Sequence, residues 1–456
     1  MSPNFSEEVL SNLRSDLDGD VLQPGDAGWD AGRQPWNLIA DQQPALVVQA
    51  ASAADVAKTV SFAAANGLKV APQGTGHGAA RMPDLAGAIL LKTARMGEVT
   101  VDPDARTARV GGGAQWSAVV GAAAQHGLAA LHGSSGTVGV AGYTVGGGVG
   151  WLARSEGFAC NHVVSLEVVT ADGEIRRIFR DSEPELFWAL RGGGGGQAIV
   201  TELEIELVEL ETAYGGALMW PIEQASEIAQ AWRKWTETVP EELTSTIKLV
   251  RFPPFPELPD PIRGRALVVV TFVFRGGEEE GAELAAPLRA VAEPYLDMVS
   301  TLPAPALAEI AGDPKDPVPG RGDGFLLASL EEATIDAYVD LAGPDVDVPL
   351  IALEIRHLGG AMDRPGEDHG ALDVAAGSHL VYAIGAAMSP ELDGAIIGTL
   401  TAIKERMAPW RSGHNQFGFA EMESGVDGSL DPAIVDRLDA VRATYDPDHL
   451  IVGISD

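Results

Sequence analysis

Gln73, Gly74, Thr75, Gly76, His77 and Gly78 hold one imidazole between glycines, directly after the strand-like segment Leu68 to Ala71. Glycines at 74, 76 and 78 carry no Cβ, so backbone N–H groups there can turn toward an anion and a flat ligand can approach closely. His77 is then the first side chain such a ligand meets. A tight turn with a water-facing imidazole is the competing reading of the run taken alone.

Three more glycine clusters, at 111 to 113, 142 to 150 and 192 to 196, fall in the same half of the chain. None continues into Gly-Lys-Ser or Gly-Lys-Thr, which excludes a P-loop. Gly74, Gly76 and Ala79 satisfy G-x-G-x-x-A, but Pro83 and Gly87 interrupt the helix a Rossmann pyrophosphate site needs, and Ala88 to Leu91 is already strand-like. A nicotinamide enzyme therefore stays only an alternative. Between Gly133 and Gly150, Val138, Val140, Tyr143, Val145 and Val149 alternate with glycines, which suits backbone packed on a large flat ligand better than a solvated tether. Several such segments converging on one groove suit an extended dinucleotide.

The elements that must position these runs read as follows. Leu46 to Gln49 is a strand, Ser52 caps a helix with Val56, Val60 and Ala63 as its buried stripe, and Gly67 stops it before the next strand. The His77 run thus follows a β-α-β unit, where parallel sheets place ligand loops. Hairpins are expected over Thr100 to Val110 and Val163 to Ile178, with helices from about Ala114 to His126 and Pro184 to Leu190. Leu203, Ile205 and Leu207 alternate with glutamates as a half-buried strand, and a first domain closes near residue 210. Strands near Ala217, Ile247, Leu267 to Phe274, Leu350 to His357 and Leu380 to Ile384 follow. Helices near Glu223 to Thr238, Ala282 to Val291 and Leu392 to Met407 predict a sheet covered on one side. A last helix within Leu430 to Val452 carries Ile434, Leu438 and Val441.

The 456 residues are 46% hydrophobic, enough for two or three domains, and 31 basic against 65 acidic residues give a net charge of −34. That charge repels nucleic acid and anionic membranes as partners. Cys160 is the single cysteine, so no internal disulfide framework or multi-cysteine metal site forms, and a reducing compartment fits. His126, His132, His162, His369, His379 and His449 have no ligand-like spacing, and no metal is expected. The acidic first thirty residues lack a signal core and no run approaches membrane-spanning length, so a cytoplasmic protein is expected.

The order GTGHG, GTVGVAGYTVGGGVGW, WLARSEGFACNHVVSLEVVTADG, ELFWALRGGGGG and RLDAVRATYDPDHL resembles the FAD-linked oxidases of the vanillyl alcohol oxidase and p-cresol methylhydroxylase superfamily. It is most similar there to the berberine-bridge-enzyme-like and 6-hydroxynicotine-oxidase-like group. The resemblance implies an α+β fold with a two-part FAD-binding domain of the PCMH type, residues 1–210 and 409–456. Residues 211–408 form a substrate domain on an antiparallel sheet covered by helices. FAD contacts are implied for Gln73, Gly74, Thr75, Gly76, His77 and Gly78, for Ser135, Gly136, Thr137, Val138 and Gly139, for Gly142, Gly146, Gly147 and Gly148, and for Gly195 and Val200. It further implies a covalent bond from His77 to the 8α-methyl carbon of FAD. A neutral imidazole is a competent nucleophile, and the substituent makes a flavin more oxidising.

Two departures limit the transfer. Relatives with a second flavin link use a cysteine in Cys-Pro-Thr-Val-Gly, where this chain has Ser135, Gly136, Thr137, Val138 and Gly139, so one covalent link is expected. The Tyr-x-Asn-Phe run of many relatives becomes Gln416, Phe417, Gly418, Phe419. Gln416 can orient a substrate but is not a useful base. Glu354 and Arg356 share a face of their strand with His357 on the other, and a surface ion pair is the plain alternative to an active-site role. Glu354, His357, Gln416 and Tyr143 are the catalytic candidates, with His414 next. The expected activity is hydride removal from an alcohol- or amine-bearing carbon of a small molecule, with O2 as acceptor. A dehydrogenase using another acceptor, or a flavin-binding protein without oxidase activity, are the alternatives. A homodimer is left open.

Overall fold

The computed structural model describes residues 5–422 and 428–453. Strands Leu46–Gln49, Ala88–Lys92 and Lys69–Gln73 lie parallel in that spatial order, and Asp20–Leu22 joins antiparallel at the outer edge. The crossover helix Ala53–Asn66 starts at Ser52, whose side chain accepts from the Asp55 amide, and stops at Gly67 with φ +66°. Only a residue tolerant of the left-handed region ends a helix this way at low cost. Its stripe of Val56, Val60 and Ala63 is fully buried. The expected β-α-β unit is present, with its two strands separated by Ala88–Lys92.

After helix Pro432–Tyr445 the chain returns to this sheet. Val70 donates to Leu450 O and accepts from Val452 N, each at 2.8 Å, so the tail covers the open edge of the strand that leads into His77. A second, fully antiparallel sheet runs in the order Val99–Asp102, Thr107–Gly111, Ile199–Glu206, Val163–Val169, Ile175–Ile178. Leu203 and Ile205 face its core, while Glu202 and Glu204 pair with Arg109 and Arg177 outside.

The large antiparallel sheet runs in the order Leu296–Asp297, Thr212–Pro221, Ala266–Phe274, Leu243–Arg251, Ala352–His357, His379–Ala386, Gly320–Leu327. One face carries Ile247, Leu249, Val270, Phe272, Leu353, Ile355, Val381 and Phe325 into a core shared with helices Ala225–Thr236, Glu332–Ala342 and Pro390–Arg406. Strand alternation then sends Lys248, Glu354, Arg356 and Tyr382 to the other face. The mixed α+β architecture expected from the sequence is the one observed.

Several elements escaped the sequence reading, helices Glu7–Asp16 and Glu332–Ala342 among them, and two bear on the site. Gly320–Leu327 is a strand despite its GRGDG start, because Asp323 is held in the interior by Lys404 at 2.5 Å and the glycines admit Tyr382 and Phe419 beside the backbone. Val140–Val145 is a short helix rather than extended chain. Its alternating pattern reflects tight packing on Trp116, not a strand period.

Candidate active site

The His77 loop leaves strand Lys69–Gln73 and is fixed from two sides. The Trp36 ring stacks on His77 with centroids 3.8 Å apart at 15°. Trp36 is itself held by its amide on Thr75 O at 2.9 Å. His77 Nε2 lies 3.0 Å from Thr137 Oγ1, which lies 3.0 Å from Ser135 Oγ. Burial lowers the imidazole pKa to about 4, against the raising effects of Thr137 and the Asp313 carboxylate, so the ring is neutral at ordinary pH. Gly76, at φ +86°, could not be replaced: a Cβ there would meet Pro35 Cβ at 2.7 Å.

Beside this loop runs the segment 135–139, close enough that a Cβ on Gly139 would lie 3.5 Å from Thr75 Oγ1. Among the described residues, the amides of Gly74, Thr75, Gly76, His77 and Gly78, and those of Gly136, Thr137 and Gly139, donate to no protein acceptor. Eight adjacent donors without a protein acceptor, all but Gly76 half-buried or exposed, form a cradle that an anion can occupy. A cavity of about 540 Å³ opens here, lined by Trp36, Gly74, Thr75, Lys92, Gly113, Gln115 and Ser117 among others. Lys92 brings a cation to its wall, bonded to Gln73 Oε1 at 2.7 Å and Gln34 O at 3.1 Å.

Across the molecule, the polar face of the large sheet supplies a second group. Glu354 accepts from Arg356 Nε at 2.9 Å through one oxygen and pairs with Lys248 Nζ at 3.0 Å through the other. Burial alone would raise this carboxyl, but the two cations outweigh it and hold its pKa at about 2. Tyr382, directly opposite Glu354 in register, donates to Glu421 Oε1 at 2.7 Å. Burial raises the Glu421 pKa despite that bond. Arg81, four positions after His77, lies 4.7 Å over the Phe417 ring and donates to the Phe417 carbonyl. The segment after His77 is thereby clamped to residues 417–421.

The model of the FAD binding domain family matches residues 44–178. An FAD-linked oxidoreductase of Bacillus subtilis is 30% identical over 310 residues, 67% of each chain. The chain belongs to the FAD-linked oxidoreductases. (R)-6-hydroxynicotine oxidase of Paenarthrobacter nicotinovorans is 37% identical over 205 residues, which span 45% of this chain and 45% of that protein. In structure, 6-hydroxy-D-nicotine oxidase from Arthrobacter nicotinovorans superposes with a TM-score of 0.81 at 24% identity, covering 95% of this chain and 96% of that one. The glucooligosaccharide oxidase from Acremonium strictum, described as carrying a 6-S-cysteinyl, 8α-N1-histidyl FAD, does so at 0.80 and 22% identity, covering 98% of each. The fold is therefore that of PCMH-type FAD proteins, in the berberine-bridge-enzyme-like and 6-hydroxynicotine-oxidase-like group.

In this FAD-linked oxidoreductase the orphan amides, Lys92 and the cavity fit a pyrophosphate-bearing flavin. Gly142 has open space where a Cβ would stand, and Gly195, at φ +85°, abuts Val145. Val200 is buried in strand Ile199–Glu206, with its carbonyl against Gly112. Gly146 lies under the Phe417 ring, and Gly147 lies near Gln416, whose Nε2 would be 3.6 Å from a Cβ there. Gln416 is thus brought to the glycine segment.

The other candidates are not gathered with it. Tyr143 is a wedge, its ring closed in by Gly133, Gly148, Gly150 and Trp116 and its hydroxyl buried without a partner among the described residues. His357 points to the helix side of the sheet, where it accepts from Arg154 Nη1 at 2.8 Å and stacks on His379 at 5.2 Å. His414 pairs with Asp431 at 3.2 Å. Cys160 is fully buried, and that burial pushes its thiol up to about 12, an inert core side chain. Trp36, Arg81, Lys248, Tyr382 and Glu421 were not anticipated. For Lys248 and Tyr382 the signal was strand alternation, but for Trp36, 41 positions before His77, no local pattern marks the contact. No helix among the described residues is long and apolar enough to cross a membrane.

Proposed function

We propose that the chain is an FAD-dependent oxidase of small molecules, with the flavin tethered once, through His77. The carrying observation is the state of that imidazole. It is neutral, pinned by Trp36, and its Nε2 faces Thr137, while Nδ1 has no hydrogen-bond partner among the described residues. Nδ1 is the lone pair free for attachment, which agrees with the N1-histidyl link named for glucooligosaccharide oxidase. Ser135 stands where a second link would need a thiolate, and a hydroxyl does not make that bond.

Bound FAD supplies a hydride acceptor that passes its electrons on to O2, giving hydrogen peroxide. The amides of 74–78, 136, 137 and 139 and the Lys92 ammonium hold the pyrophosphate. Gly142, with open space where a Cβ would stand, lets the backbone come close to the rings, while Gly146, Gly147 and Gly148 make room for Phe417, Leu372 and Tyr143, and Gln416 orients the substrate beside Gly147. Residues 1–210 and 409–456 act as the flavin half, consistent with the tail pairing at Val70, and 211–408 as the substrate half.

Glu354, held ionised by two cations, is too acidic to take a proton from an alcohol and instead positions Lys248 and Arg356. The Tyr382 and Glu421 pair is the better proton holder, because burial keeps its carboxyl pKa high. An alcohol- or amine-bearing carbon is the reacting centre, in line with the sugar and nicotine oxidases among the relatives.

Acid precipitation of the purified protein tests the tether, and oxygen uptake with an alcohol and amine panel tests the acceptor. A yellow pellet that turns colourless in His77→Ala supports the first. A colourless wild-type pellet overturns it, and turnover seen only with an artificial dye overturns the second.

A further inference from the structure

Lys248, Glu354 and Arg356 form a buried cluster with two cations and one carboxylate. Arg356 is 4% exposed. Its Nε is spent on Glu354, yet Nη1 and Nη2 have no acceptor among the described residues. They are also not sealed in protein, unlike the partnerless Arg81 Nε and Arg411 Nε. The outer edge of the guanidinium therefore keeps access to space while the rest of the residue is enclosed.

The surroundings define what can fill that space. The Arg356 guanidinium carbon lies 5.7 Å from the Trp151 ring and 5.2 Å from the Phe419 ring. Trp151 directly follows the glycine segment 146–150, and Phe419 follows Phe417, which packs on Gly146. The free edge thus opens at the junction between the flavin half and the sheet, walled by aromatics. Both Glu354 oxygens are already engaged, so the cluster holds one uncompensated positive charge away from bulk water. A buried charge of that kind is costly unless an anion pairs with it. Two parallel N–H donors on one planar edge match the two oxygens of a carboxylate.

We infer that Arg356 is a specificity residue that binds a carboxylate on the substrate, with Glu354 and Lys248 fixing its orientation and Trp151 and Phe419 flanking the group. The substrate class is then an alcohol or amine that also bears a carboxylate. This rests on the proposed flavin oxidase, which narrows to acidic substrates.

The test uses the FAD-loaded holoenzyme and follows the visible flavin spectrum during titration with benzoate, with the neutral isostere benzamide and with glucose. Benzoate should perturb the spectrum with at least tenfold tighter binding than benzamide, and Arg356→Lys, which keeps the charge but loses the fork, should weaken benzoate at least tenfold. Equal binding of benzoate and benzamide, unchanged benzoate binding in R356K, or displacement of benzoate by equimolar glucose overturns the proposal. The benzoate and benzamide comparison needs only wild-type protein, so it decides even where R356K does not fold. FAD reports binding whether tethered or not, so a colourless acid pellet refutes the His77 link without touching this result.

Discussion

His77 Nε2 sits 3.0 Å from Thr137 Oγ1, joining loops 60 positions apart in the chain. The bond selects which imidazole nitrogen is free. Replacing the hydroxyl by a methyl of the same shape removes that selection and also frees Ser135 Oγ. Thr137→Val should fold with a loss of about 1 kcal/mol and take up FAD, but attach it about tenfold more slowly, as expected for one lost hydrogen bond. Flavin fluorescence of the denatured polypeptide over time reads this. Attachment at the wild-type rate would show that Thr137 plays no part.

Glu354 tests the buried cluster. Glu354→Gln keeps the shape but leaves Lys248 and Arg356 facing each other uncompensated, which should cost about 3–5 kcal/mol in unfolding free energy. Adding Lys248→Met should recover part of that loss, because one of the two stranded charges is gone. Additive losses in denaturant titration would contradict the coupling.

The stacked pair His357 and His379 predicts an acid sensitivity. Burial foremost, then Arg154, lowers His357 to about 2 and His379 to about 3, well below the ordinary 6.5. Between those limits the unfolded chain binds protons that the folded one refuses, so stability must fall as pH drops below about 6.5. The slope is up to about 1.4 kcal/mol per pH unit for each histidine. Glu354 adds its loss only below about 4.5, where its unfolded form protonates. Denaturation at pH 7, 6 and 5 therefore reads the buried histidines, and His357→Gln with His379→Leu should reduce the slope there without abolishing it, because burial also lowers His77 and His132.

Two glycines of one segment should behave oppositely. A Cβ at Gly150 would lie 1.9 Å from His132 O, a backbone atom with nowhere to go, whereas at Gly142 nothing lies within 4 Å. Gly150→Ala should lose about 3 kcal/mol or more, as overpacking does at its severe end. Gly142→Ala should leave the melting temperature of the FAD-free protein within a few degrees and lower FAD occupancy. Normal occupancy in Gly142→Ala would remove that glycine from the flavin contacts.

Short-range chemistry made much of this molecule legible in the sequence. Caps, glycine stops and apolar spacing act within a few residues, so helix Ala53–Asn66, the two hairpins and the strand before His77 could be read directly. The glycine clusters and their order likewise pointed to FAD, since close backbone approach demands glycine whatever the fold around it. Even the opposite faces of Glu354 and His357 followed from strand alternation. Tertiary structure alone decided what those side chains meet. Trp36 over His77, Thr137 on Nε2, Lys248 beside Glu354 and Tyr382 on Glu421 join segments with no shared local pattern. The same holds for Tyr143, whose phenol looked reactive until the glycines proved to be the space it fills. Charge state depends on such neighbours and on burial, so the neutrality of His77, the acidity of Glu354 and the unpaired edge of Arg356 emerge only when the two halves of the chain close on each other.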